Sequence, residues 1–362
     1  MRDFHIFNPE TDLVLAGNSL TFTPKKGIEL LRTHLALLPS IYAEEWDVVI
    51  VPDECENHIS SLPFYYIAKH KNIEIIPLSQ VSGKIMSEES MGNNIGIKPW
   101  GWNKEIISRL TIHNVDMSLL PSFEYVDSIR NLSHRKMTTA FFSHYKDFFP
   151  NCNSPLFLSS ITELEDFIIA NPSFCLKAPW SSSGRGIVFS DKMPMEKIME
   201  WGLSVIDKQG GVMAEKKYSR SLDFASEWYI DNGSVSFAGL SLFESSPRGK
   251  YKGNYIFSDD KIKTILKSKC RWKDDILNYQ KEFLSDSIAP IYCGPVGIDM
   301  LADQSGDVNP CVEINLRMTM GHIAINLERQ AYQGNDQRLS ELLKDLFPNY
   351  YFSPSILLNN KK

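Results

Sequence analysis

Two short runs dominated by β-branched residues, Asp47-Val48-Val49-Ile50-Val51 and Ile73-Glu74-Ile75-Ile76-Pro77, lie either side of a helical stretch near Leu62 to His70. Strand, helix and strand in that order bury their apolar faces most simply as a parallel α/β unit, Rossmann-like in character. The next stretch, Met91 to Asn103, gathers four Gly and Asn residues ahead of Pro-Trp-Gly-Trp and reads as a loop. A first boundary is expected between that loop and Pro121, giving an N-terminal α/β domain over residues 1–118. With 362 residues, 43% of them hydrophobic, the chain has material for two or three packed units.

Beyond the boundary, Ser133 can cap a helix whose apolar spacing runs from Lys136 to Tyr145 and which stops before Pro150. Thr162 to Ala170 reads as a second helix, and Phe174 to Ala178 as a strand entering a turn. From Gly211 the pattern becomes β-rich, with Val212 to Glu215, Asp223 to Ile230 and Ser234 to Leu242. The Asp231-Asn232-Gly233 turn between the last two is a strong hairpin signal. These shifts predict a central subdomain over 119–211 and a C-terminal one over 212–362.

A formal net charge of −6 and a pI near 5.8 provide no chain-wide basic field to attract nucleic acid. The first residues, MRDFHIFNPETDLVLAG, are too polar for a secretory signal, and no segment approaches the length of a membrane span. The expectation is a cytoplasmic protein without membrane partners. Six scattered cysteines form no CxxC pair, so neither a zinc site nor a disulfide framework is signalled.

Two segments carry chemistry. In the first, Lys177 at a strand end precedes Pro179-Trp180-Ser181-Ser182-Ser183-Gly184-Arg185-Gly186, after which the chain re-enters a strand. Glycine lets backbone N–H groups approach phosphate oxygens, serine hydroxyls add donors, and lysine adds charge. An ordinary hairpin turn would have the same composition, and neither a Walker A loop nor a dinucleotide GxGxxG is present.

In the second, Gly297 to Leu301 is strand-like and is followed after a polar turn by Cys311 to Arg317. Alternation places Glu313, Asn315 and Arg317 on one face of the second strand and Val312, Ile314 and Leu316 on the other. With Asp299 on the neighbouring strand of a hairpin, two carboxylates and an amide oxygen would converge as hard ligands for Mg²⁺ already bound to phosphates. A surface strand with a salt-bridged face would alternate in the same way, so spacing alone leaves both readings open.

Taken in order, these pieces resemble the ATP-grasp family over roughly Ser133 to Arg329. The order comprises an early lysine at Lys136, Lys177 before the Gly-rich loop, an acidic hinge strand from Val212 to Tyr218, Asp299 on a late strand, and Glu313-x-Asn315-x-Arg317. The resemblance implies a pre-ATP-grasp α/β unit followed by two α+β subdomains that sandwich ATP. It also implies that Lys136, Lys177 and the loop residues Ser181, Ser182, Ser183, Gly184 and Gly186 hold the ATP phosphates. Glu215 and the backbone of Lys216 to Tyr218 would hold adenine, and Asp223 the ribose. Asp299, Glu313 and Asn315 would bind Mg²⁺, and Arg317 would stabilise an acyl phosphate and the tetrahedral intermediate.

The cationic, loop-like stretch Ser245 to Tyr255 offers Arg248 and Lys252 for the γ-phosphate or the substrate carboxylate, where related enzymes often cover the site. Trp180 and Arg185 add unusual bulk to the Gly-rich loop and are candidates for contact with substrate. After the first strand, His5 reads as structural, whereas Asn8, Glu10 and Asp12 stand where α/β units commonly bind ligands. The expected activity is that of an ATP- and Mg-dependent ligase joining a small carboxylate to an amine. A small-molecule kinase of the same family and a nucleotide-binding regulatory protein are the alternatives. Oligomeric state is left open, with a homodimer allowed.

Overall fold

The computed structural model describes residues 1–181, 186–247 and 249–359. The chain forms two compact units, one from Met1–Ile129 together with the stretch that begins at Ile323, the other from Arg130–His322. The described residues from Ile323 onward, expected to belong with the C-terminal subdomain, therefore group with the N-terminal unit. No helix among the described residues is long and apolar enough to cross a membrane.

In the first unit, strands β1 (Arg2–Ile6), β2 (Val48–Val51), β3 (Glu74–Pro77) and β4 (Ile95–Pro99) form a parallel sheet in the order β3-β2-β1-β4. All four residues of β2 are buried, as a strand covered on both faces requires. Phe4, Ile6, Val48, Ile50, Ile76 and Ile97 meet Val81, Ile85, Ile106 and Leu110 from the flanking helices in one core.

Strand β4 lies inside Met91 to Asn103, the segment expected to be a loop. Met91 and Gly92, the latter with φ +80°, make a turn at its start. Ile97 packs into the core and the backbone from Ile95 pairs with β1, a long-range partner that local composition does not reveal. Successive strands advance from β1 to β3, and the chain then returns to the opposite side of β1. The carboxyl ends of β1 and β4 thus mark the switch point of the sheet. Asn8 closes that point by donating through Nδ2 to the Gly101 carbonyl at 2.8 Å and accepting the Gly101 N–H at 3.3 Å.

The second unit holds two sheets. Strands β5 (Leu156–Leu158), β6 (Phe174–Lys177), β7 (Ile187–Phe189) and β8 (Val212–Lys216) pair in the order β5-β8-β6-β7. Leu164 and Ile198, from the helices Ile161–Ala170 and Met195–Gln209, pack on the sheet residues Phe174, Leu176, Val212 and Ala214. Ser160 and Glu163 form a complete capping box on the first of these helices. Because β8 belongs to this sheet, the change of sheet falls after Lys216 and not at residue 211.

Strands β9 (Arg220–Asp231), β10 (Ser234–Ser245), β11 (Tyr251–Tyr255), β12 (Gly294–Asp303) and β13 (Val308–Asn315) follow in the antiparallel order β13-β12-β9-β10-β11. Asn232 and Gly233, with φ of +46° and +79°, make the expected tight turn between β9 and β10. The stretch after Ser245, expected to be loop-like, is a second hairpin with Lys252 exposed on β11.

The helix expected after Ser133 runs from Lys136 to Tyr145, but Ser133 does not cap it. The Ser133 hydroxyl is buried without a hydrogen-bond partner, and the Lys136 N–H donates to His134 Nδ1 at 2.9 Å. Burial and the nearby Lys136, Arg130 and Arg135 charges push the His134 pKa down to about 4, which keeps that nitrogen free to accept.

Candidate active site

Register on the second sheet brings the acidic residues together. Asp299 on β12 is directly opposite Glu313 on β13, and Gly297 is opposite Asn315. On the other side of β12, Gly297 faces Glu227 of β9 and Asp299 faces Ala225. Two rows therefore cross one face of three strands, Glu227-Gly297-Asn315 and Ala225-Asp299-Glu313. Burial raises the Asp299 pKa, and the Glu313 and Glu227 charges raise it further, to about 8, against the opposing effects of Arg317 and an Asn315 hydrogen bond. Such an excess of negative charge is what a divalent cation relieves.

Arg317 lies two residues beyond the end of β13 and folds back, its Nη2 donating to Asn315 Oδ1 at 2.9 Å and its Nη1 to the Met318 carbonyl at 3.1 Å. Asn315 Oδ1 is thereby held on the face shared with the two carboxylates. Among the described residues no three His, Cys, Asp or Glu side chains form a metal-holding group. The set present is two carboxylates and one amide oxygen, which matches Mg²⁺ when phosphates and water complete its shell.

Lys177 is buried and ion-paired with Glu215 on the adjacent strand β8. Burial works against the lysine charge, but Glu215 outweighs it and the pKa ends above the ordinary value. Glu215, expected at the adenine, is thus committed to Lys177. Asp223 is held above the usual carboxylate range by burial, against the Arg220 guanidinium 3.5 Å away. Lys216 is exposed at the end of β8, and the Tyr218 hydroxyl accepts the Asn153 N–H at 3.2 Å.

Lys136 is exposed and its ammonium sits 3.5 Å from the centroid of the Phe157 ring. The preceding residue, Arg135, is the one that reaches Glu313. Its buried guanidinium donates to the Ala178 carbonyl, to Ser181 Oγ at 2.8 Å and to Glu313 Oε1 at 2.6 Å. Arg135 thus ties the stem of the Gly-rich loop to the strand carrying the acids. In Ser133-His134-Arg135-Lys136 two adjacent cations were available, and only the direction of the helix start separates them.

At the other end of the loop, the Gly186 carbonyl accepts the Ala178 N–H at 2.8 Å. A Cβ on Gly186 would lie 2.3 Å from the Ser181 Cβ, so only glycine fits. Ser182, Ser183, Gly184 and Arg185, with Arg248 of the later cationic stretch, lie outside the described residues. Trp180 is buried, with Nε1 donating to the Arg130 carbonyl at 2.9 Å and its ring 3.7 Å from the Arg130 guanidinium.

In the first unit, Asn8 is consumed by Gly101 and Thr11, and buried Glu10 pairs with Arg109 at 2.9 Å. His5 is structural as expected, its Nε2 lying 2.9 Å from Asp47 Oδ2.

No family model matches the sequence. Over 180 residues, 47% of this chain, it is 28% identical to the butirosin acyl-carrier protein–L-glutamate ligase of Niallia circulans, and the match spans only 40% of that ligase. The fold is similar to the β,γ-ATP complex of biotin carboxylase from Campylobacter jejuni, with a TM-score of 0.53 and 13% identity over 95% of this chain and 70% of that one. It is also similar to the biotin carboxylase domain of the Hydrogenobacter thermophilus 2-oxoglutarate carboxylase with MgADP and bicarbonate, with a TM-score of 0.50 and 14% identity over 91% of this chain and 69% of that one. With its parallel N-terminal sheet and the two sheets of its second unit, the chain has the ATP-grasp fold.

Proposed function

We propose that this chain is an ATP- and Mg-dependent ligase that activates a carboxylate as an acyl phosphate and joins it to an amine. The observation carrying the reading is the pair Asp299 and Glu313 in register, with Asn315 beside them and Arg317 hydrogen-bonded to Asn315. Asp299, Glu313 and Asn315 would hold Mg²⁺, which when bound supplies charge neutralisation at the phosphates. Arg135, Lys177 and the loop residues from Ser181 to Gly186 would orient the polyphosphate, and the backbone after Glu215 would receive the base. Asp223 is the candidate for the ribose hydroxyls, and Lys252 for the γ-phosphate or the carboxylate.

The chemistry asked of these residues is positioning and charge stabilisation. A substrate carboxylate oxygen attacks the γ-phosphorus and ADP leaves. An amine then adds to the acyl carbon, phosphate departs and the amine loses a proton. Arg317 would stabilise the acyl phosphate and the tetrahedral intermediate. Cytoplasmic ATP would serve as donor, and amino acids are the first substrates to test, since the partial relative is named for joining L-glutamate.

Phosphate release from MgATP, measured across a panel of amino acids and other small carboxylates with and without amines, tests the reading. Glu313→Gln should abolish release while the protein stays folded. Full ATP-dependent activity in that variant would remove Glu313 from the metal site, and phosphorylated substrate in place of free phosphate would make the protein a kinase.

A further inference from the structure

Glu227 is a carboxylate in the interior of a long strand, and the molecule is shaped around it. Its Oε1 accepts from Ser241 Oγ at 3.0 Å and its Oε2 from Thr319 Oγ1 at 2.8 Å. His322 Nδ1 lies 3.1 Å from Oε2, and its Nε2 lies 3.1 Å from the Trp228 carbonyl oxygen. All four side chains are buried. Two glycines clear the space. A Cβ on Gly297 would stand 2.7 Å from Glu227 Oε2, and one on Gly321 would stand 1.8 Å from Oε1.

The hydroxyl of Thr319 is surrounded by partners. It donates to Glu227 Oε2 and accepts the N–H groups of Gly321 and His322 at 3.1 and 3.2 Å, and His322 Nδ1 lies 3.0 Å from it. That hydroxyl therefore caps the helix Met320–Glu328 and anchors the segment after β13 to the middle strand of the sheet. Arg317 is two residues away, on the same segment.

We propose that Glu227, Thr319 and His322 are positioning residues, a buried brace that fixes the Arg317 guanidinium over the row Glu227-Gly297-Asn315 so that it meets the transferred phosphoryl group. The proposal rests on the assignment of Arg317 made above. None of the three needs to touch a substrate. Their effect is confined to the steps in which Arg317 acts, and nucleotide binding does not depend on them.

The test needs no substrate. Binding of MgADP by the full chain is measured by calorimetry with and without aluminium fluoride, a mimic of the phosphoryl group in transfer. It is done for wild type, Thr319→Val, Thr319→Ser and Arg317→Ala. Aluminium fluoride should tighten MgADP by about tenfold or more in wild type and Thr319→Ser, and by less than about threefold in Thr319→Val and Arg317→Ala. MgADP alone should bind wild type, Thr319→Ser and Thr319→Val alike.

Tightening in Arg317→Ala, or none in wild type, overturns the role of Arg317 and the brace with it. Tightening in Thr319→Val while Arg317→Ala shows none overturns the brace alone. Loss in Thr319→Ser equal to that in Thr319→Val shows the methyl group to be what matters and rejects the hydrogen bond, as does weakened binding of MgADP itself in Thr319→Val.

Discussion

Arg135 and Glu313 form an ion pair of 2.6 Å between the residue that begins a helix and a residue of the strand β13. The guanidinium is almost wholly enclosed, 4% exposed, while the carboxylate keeps 24% of its surface. The pair therefore joins a buried cation to an anion still open to solvent, and the carboxylate is the partner free to take a new ligand.

Replacing Arg135 by Met should remove its bonds to Ala178, Ser181 and Glu313 together. A loss of about 3 kcal/mol is expected, read from the urea midpoint, because several hydrogen bonds from a charged donor are lost together and the Ala178 and Ser181 acceptors are left unpaired. Arg135→Lys should recover only part of it, since one ammonium cannot span the same acceptors.

A carboxyl whose folded pKa is raised binds its proton more tightly in the folded state. Folding stability attributable to Asp299 should therefore be undiminished below the unfolded value near 3.8 and fall as pH rises toward the folded value of about 8. Asp299→Asn removes that dependence. Urea midpoints of wild type should decline between pH 5 and pH 8 more steeply than those of the variant; parallel curves would contradict the raised pKa.

Lys177 and Glu215 invite a double-mutant cycle. Lys177→Met leaves a buried carboxylate unpaired and should cost about 3 kcal/mol, whereas Lys177→Met with Glu215→Met should regain most of that. Neither protein should bind ATP normally by calorimetry, which separates the fold's need for the pair from the nucleotide's.

Gly186→Ala forces a methyl group against the Ser181 Cβ, which has no flexible stem to move aside. Thermal unfolding should report a loss of about 1–3 kcal/mol. ATP binding should weaken as the loop stem opens.

What the sequence reveals well is local. Val48 to Val51 identify themselves by composition, Asn232-Gly233 by turn chemistry, and Asp299 and Glu313 by alternation along two neighbouring strands, although their direct pairing depends on a register shift between Asp299 and Leu301 that the sequence does not announce. Strand β4 escapes because its identity depends on an edge of β1 some ninety residues away. Arg135 escapes because two neighbouring cations differ only in the direction in which a helix start points them. Glu227 carried a visible signal, a charge amid the buried run Phe224 to Trp228, but its partners Thr319 and His322 are distant in sequence. Trp180 looks functional from its place beside the Gly-rich loop, yet Arg130 and His134 enclose it.

Between β8 and β9 there are three residues, Lys217, Tyr218 and Ser219. Four Cα steps make a leash of roughly 14 Å at full extension between the two sheets of the second unit. The leash is tied on both sides, Tyr218 to the Asn153 N–H at 3.2 Å and the Ser219 carbonyl to the Gln304 N–H at 2.8 Å. At that edge one sheet can swivel on the other but cannot draw away, so a crevice between them would widen as a book does, from the side opposite its spine.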